Sequence, residues 1–60
     1  GHYNLACLYA RKNEAKQSLF YLKNAIDFNP EARKWAAKDD DLKVLASLPD
    51  FQQLMQTKDN

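Results

Sequence analysis

The segment from Tyr3 to Pro30 carries two apolar stripes of helical period, split by a polar break and ended by a proline. Few folds accept that pattern. In the first arm, Leu5, Leu8 and Tyr9 fall at i, i+3 and i+4 and so share one helical face. Ala6 and Ala10 are small, which lets a neighbouring helix come close. The run Arg11-Lys12-Asn13-Glu14 then breaks the stripe. Basic residues suit a helix C-terminus, and asparagine tolerates the left-handed conformation that ends many helices. In the second arm Ala15, Leu19, Leu22 and Ile26 step by four, three and four, with Ser18 and Ala25 as small residues on the same side. Lys16, Gln17, Lys23, Asn24 and Asp27 fill the other side. Asn29-Pro30 stops this helix, because a residue before proline is pushed out of the α region. The spacing predicts two antiparallel helices joined at Asn13.

These residues resemble a tetratricopeptide repeat, a helical hairpin of about 34 residues with a Trp-x2-Leu-Gly-x2-Tyr, Ala-x3-Phe, Pro pattern. Leu5-Ala6 stands for Leu-Gly, and Tyr9 for the tyrosine. Ser18 and Leu22 stand for Ala-x3-Phe, with Ala25 and Pro30 closing the pattern. Ala6, Ser18 and Leu22 depart from the pattern but keep the size class, Asn13 replaces the usual turn glycine, and His2 falls where the tryptophan belongs. Gly1-His2 also reads as a cloning remnant. The resemblance covers roughly half of the chain, from Tyr3 to Pro30. It implies a segment of a larger repeat protein, because one repeat alone leaves its hydrophobic faces uncovered. The rival reading is an unrelated helical hairpin.

After Pro30 more helix is expected. Proline suits a first helical position and Asn29 is a good N-cap. Ala32, Trp35 and Ala36 share a face predicted to pack on the hairpin, with Trp35 in the core rather than serving as a ligand platform. Asp39-Asp40-Asp41 gives a stop followed by N-cap acceptors and first-turn acids. Leu42, Val44 and Leu45 come next as a short apolar helix, and Ser47-Leu48-Pro49-Asp50 starts another with Phe51, Leu54 and Met55 as its apolar face. This tail looks like the closing helices found after the last repeat in some bacterial-type repeat proteins. The expectation is therefore an all-α chain in one domain, 1–60, with a tetratricopeptide-like hairpin over 3–29 and capping helices over 30–57. Thr57-Lys58-Asp59-Asn60 are expected to fray.

Sixty residues bury only ~60% of the surface of the unfolded chain, so such a core is worth a few kcal/mol. A net charge of +1 with both signs interspersed lacks the basic footprint of a nucleic-acid binder. No apolar run approaches the ~18 residues of a membrane span. The single cysteine, Cys7, sits between Ala6 and Leu8 and reads as a small packing residue; a reducing, cytoplasmic compartment is compatible with it.

Catalysis is not expected. His2 is the only histidine, there is no phosphate-cradling glycine loop, and the spacing fits no metal or cofactor site. Three successive carboxylates at 39–41 point in different directions, which favours capping over a calcium loop. The predicted function is a protein–protein interaction module that presents a helical groove to a peptide or partner protein. In the family it resembles, the first helix of each hairpin lines such a groove. Some members grip a C-terminal carboxylate with an asparagine on one helix and basic residues on the next. Asn4, one residue before Leu5, matches the asparagine, and Lys34 and Lys38, four and eight residues after Pro30, match the basic pair. Tyr3 and Cys7 complete the candidate binding residues, and exposed Tyr3 and Phe20 are candidate aromatic anchors. The plainer alternative is that Lys34 and Lys38 only solvate an outer face. Two further readings stay open: a structural C-terminal cap of a solenoid with no ligand of its own, and a homodimer formed through the uncovered hairpin face.

Overall fold

The computed structural model describes residues 1–56 and is all-α. Four α-helices are formed: α1 (His2–Arg11), α2 (Ala15–Phe28), α3 (Ala32–Lys38) and α4 (Pro49–Met55). A 3-10 helix, Asp40–Leu45, lies between α3 and α4. Residues 57–60, expected to fray, lie outside the described residues.

The hairpin turn forms as the sequence predicts. Asn13 adopts φ 64°, the left-handed region. Its N–H donates to the Ala10 carbonyl at 3.0 Å, and the Glu14 N–H donates to the Tyr9 carbonyl at 2.9 Å. Those two bonds make a Schellman motif, which satisfies carbonyls that a helix end otherwise leaves orphaned. Asn29 is extended (φ −145°, ψ 102°), as its place before proline requires. Its side chain accepts the Glu31 N–H at 3.1 Å, as a cap should. The helix itself starts two residues later than Pro30, because the Asn29 and Pro30 carbonyls accept from Ala32 and Arg33 in a tight 3-10 turn first.

The two arms meet at small residues. Ala6 and Ser18 have no exposed surface, and the Ser18 hydroxyl donates to the Ala6 carbonyl at 2.7 Å. Such a contact requires the two backbones to approach closely, which a Leu or Phe at either position would prevent. Leu22 and Ile26 of α2 extend the core, and Leu42 and Leu45 of the 3-10 helix close it with Phe51 of α4. Ala32 and Ala36 turn the face of α3 inward.

The packing departs from the apolar stripes of the sequence, and the expected burial of Trp35 is corrected. Leu5 and Leu8 are each 37% exposed, and α1 instead buries Ala6, Cys7 and Ala10. The reason is geometric: α1 packs against α2 and the 3-10 helix through its small residues, which leaves the Leu5–Leu8 side only partly covered. Trp35 is 47% exposed at the rim of α3 instead of lying in the core, and Val44 is likewise exposed. Among the described residues no helix is long and apolar enough to cross a membrane.

Candidate functional site: the face formed by α1 and α3

Tyr3, Asn4 and Cys7 lie in the first two turns of α1; Lys34 and Lys38 lie on α3. The residue that draws the two elements together is Asp39, immediately after α3. The Tyr3 hydroxyl donates to Asp39 Oδ2 at 2.9 Å, and the Cys7 thiol donates to the same oxygen at 3.5 Å. The other oxygen, Oδ1, accepts the Asp41 N–H at 3.0 Å and so caps the 3-10 helix. Arg11 Nη1 pairs with Asp41 Oδ2 at 3.0 Å. One carboxylate thus joins the start of α1 to the end of α3 and to the 3-10 helix beyond it.

This arrangement sets the electrostatics. The Asp41 N–H, and then the Tyr3 hydroxyl, hold the Asp39 carboxyl below its ordinary range. Burial, then the hydrogen bond to Asp39, raises the Tyr3 hydroxyl. Burial, then the negative charge of Asp39, pushes the Cys7 thiol up to about 11. Cys7 is therefore a protonated donor near neutral pH and a poor nucleophile. One donor atom each of Cys7, Asp39 and Asp41 come within 4.8 Å of one another, which raises the question of a cation. The set is already saturated: Asp39 Oδ2 faces two donors, and Asp41 Oδ2 faces the Arg11 guanidinium. It acts as a lock between elements.

The candidate binding residues divide accordingly. Cys7 is buried and lies beneath the face. Tyr3, expected to be exposed, is half-buried, because its hydroxyl is held by Asp39 and its ring meets Trp35 edge-on at 5.5 Å. Asn4, Lys34 and Lys38 are exposed. Lys34 Nζ lies 3.7 Å from Glu31, an exposed pair of little energetic weight. Trp35, which sequence reasoning assigned to the core, sits between the two lysines in the chain with half its surface free. Asp39 was legible as a cap but not as the partner of Tyr3, since the two are 36 residues apart and no local signal links them.

Another face of the hairpin is aromatic and only partly buried. Tyr9 and Tyr21 stack at 5.5 Å with planes 5° apart, His2 lies 6.2 Å from Tyr21, and Phe20 meets Tyr21 edge-on at 5.2 Å. Leu5 and Leu8 are exposed on α1. No protein-family profile, curated protein or solved structure matches this chain.

Proposed function

We propose that the chain is a protein-interaction module of the tetratricopeptide type, whose binding face is formed by α1 and α3. The observation that supports this reading is the half-exposed Trp35, braced by Tyr3 and flanked in sequence by Lys34 and Lys38. Asn4 adds an exposed amide next to Tyr3 on α1. An aromatic side chain already held in place loses little entropy on binding, and such residues are common hot spots. An amide and two ammonium groups bind a carboxylate by charge-assisted hydrogen bonds. The ligand class this favours is the free C-terminus of a partner protein.

The test is a titration followed by the fluorescence of Trp35, the sole tryptophan. The probes are a short acetylated peptide with a free C-terminal carboxylate and the same peptide amidated. The free acid is expected to bind and the amide to bind at least roughly fivefold more weakly, with Lys34→Ala and Lys38→Ala abolishing the difference. Equal affinities for acid and amide, unchanged by the two substitutions, would sink the carboxylate reading.

The asymmetry of the hairpin supports a second reading. Leu42, Leu45 and Phe51 close one side, while Leu5, Leu8 and the Tyr9–Tyr21 stack are only partly buried on the other. That is the arrangement of a terminal cap, closed outward and open toward a neighbour. Light scattering across a concentration series separates the cases. A dimer assigns the open side to a second copy, and a monomer leaves it for a repeat of a larger protein.

A further inference from the structure

A cleft of about 540 Å³ runs between α2 and α4, and none of Tyr3, Asn4, Trp35, Lys34 and Lys38 lines it. A smaller hollow continues it toward Ala15, Leu48 and Pro49, sharing Lys16, Leu19 and Asp50 with the first. Together they form a groove along α2 from Ala15 to Asp27, about 18 Å or three helical turns long. Its apolar lining comes from Leu19, Phe20, Ile26 and Leu54. Phe20 is 60% exposed there, although it is one of the largest apolar side chains in the chain.

The rim carries both signs, with basic side chains in slight excess. Lys16, Lys23 and Arg33 stand around the groove with Asp27 and Asp50. Lys23 is matched by Asp27 at 3.0 Å. Asp50 lies in the first turn of α4, where the helix N-terminus answers its charge. Arg33 spends its Nε on the Leu54 carbonyl at 3.1 Å. Neither Arg33 nor Lys16 has a salt-bridge partner among the described residues. The groove therefore sets apolar side chains beside two basic groups, Lys16 and Arg33, that form no salt bridge among the described residues.

We propose that the α2–α4 groove is a docking site for an acidic amphipathic helix of a partner protein. Such a helix seats its apolar side chains at i, i+3 or i+4, and i+7 over Leu19, Phe20 and Leu54, and its carboxylates meet Lys16 and Arg33. The site is distinct from the α1–α3 face, so the two surfaces succeed or fail independently.

The test uses the full chain, uniformly 15N-labelled. The probe is a synthetic helical peptide of about 12 residues, with leucine on one face and glutamate on the other. Its control is the same peptide with lysine for glutamate. The glutamate peptide is expected to shift the amides of Leu19, Phe20, Lys23 and Leu54, with a Kd of roughly 10–100 μM, and the lysine peptide to bind at least roughly tenfold more weakly. Lys16→Glu is expected to weaken binding roughly tenfold, with an unchanged far-UV circular dichroism spectrum, while Lys16→Arg retains it. Equal binding of both peptides would overturn the proposal. So would shifts confined to α1 and α3, or no shift at about 1 mM peptide. Binding to phosphatidylglycerol vesicles without binding to the glutamate peptide would assign the groove to an anionic membrane surface and overturn it too.

Discussion

At the scale of single residues, Asp39 carries more of the structure than its place in an acidic run implies. It caps the 3-10 helix and holds Tyr3 and Cys7 with its second oxygen. Asp39→Ala is expected to cost about 2 kcal/mol, the sum of a lost cap and a lost charge-assisted hydrogen bond, and Tyr3→Phe about 1 kcal/mol. Urea unfolding of the two single variants and the double variant measures the coupling; strictly additive losses would show that Tyr3 and Asp39 do not interact. The same lock sets a pH dependence. Asp39 is held ionised in the fold, so its contribution is present above pH 3.8 and is lost as pH falls below that value. The Cys7 thiol keeps its proton up to about 11 in the fold against 9.0 as the ordinary value, and the Tyr3 hydroxyl is raised in the same sense. The unfolded chain therefore releases protons first, and stability falls as pH climbs from 9.0 through about 11. Thermal melts from pH 3 to 11 are expected to trace a plateau with a fall at each end. At pH 8, a thiol reagent is expected to label Cys7 at least roughly tenfold more slowly in the folded chain than in urea. Equal rates would mean that the thiol is neither buried nor held.

At the scale of elements, the hairpin depends on its turn and on its narrowest contact. Asn13 at φ 64° suits the Schellman geometry without needing glycine, though glycine fits as well. Asn13→Gly is expected to leave stability within about 0.5 kcal/mol and Asn13→Val to lower it by about 1–2 kcal/mol, since a β-branched side chain is strained there. Differential denaturation of the two variants checks the difference, and a neutral Asn13→Val would show that the turn is not held in the left-handed region. Ala6 faces Ser18 with no free space. Ala6→Leu is expected to cost about 3 kcal/mol, enough to unfold a domain of this size, whereas Ser18→Ala loses only about 1 kcal/mol because the Ala6 carbonyl keeps its helical partner. Circular dichroism at 25 °C distinguishes these outcomes. The helices, their order and this turn were legible because period, small residues and the Asn29-Pro30 stop are local properties of the chain. The 3-10 geometry of 40–45 was not: a run of Asp, Leu, Lys and Val is compatible with either helix.

At the scale of the whole molecule, the hairpin has one flank closed by its own chain and one flank only partly covered. Leu5→Gln and Leu8→Gln are each expected to lower the stability of the monomer by about 1 kcal/mol, because each side chain is only 37% exposed and loses partial burial. If the flank meets a second copy, the same substitutions will instead abolish any rise in melting temperature with concentration. A differential scanning measurement at two concentrations decides which. The amino-acid sequence by itself determined that the chain is helical, where the hairpin turns, that Ala6, Ser18, Leu22 and Ala25 form its inner seam, and that Asp39 caps the next helix. Helical period, the left-handed tolerance of asparagine and the restriction before proline are all properties of a few neighbouring residues, and they act before the chain is compact. Only the tertiary structure decided that Leu5, Leu8 and Trp35 remain partly exposed, that Tyr3 is held by a carboxylate 36 residues away, and that a groove opens between α2 and α4. Each of these depends on which element comes to lie against which. An apolar stripe states that a face can be buried; whether it is depends on what the rest of the chain places over it.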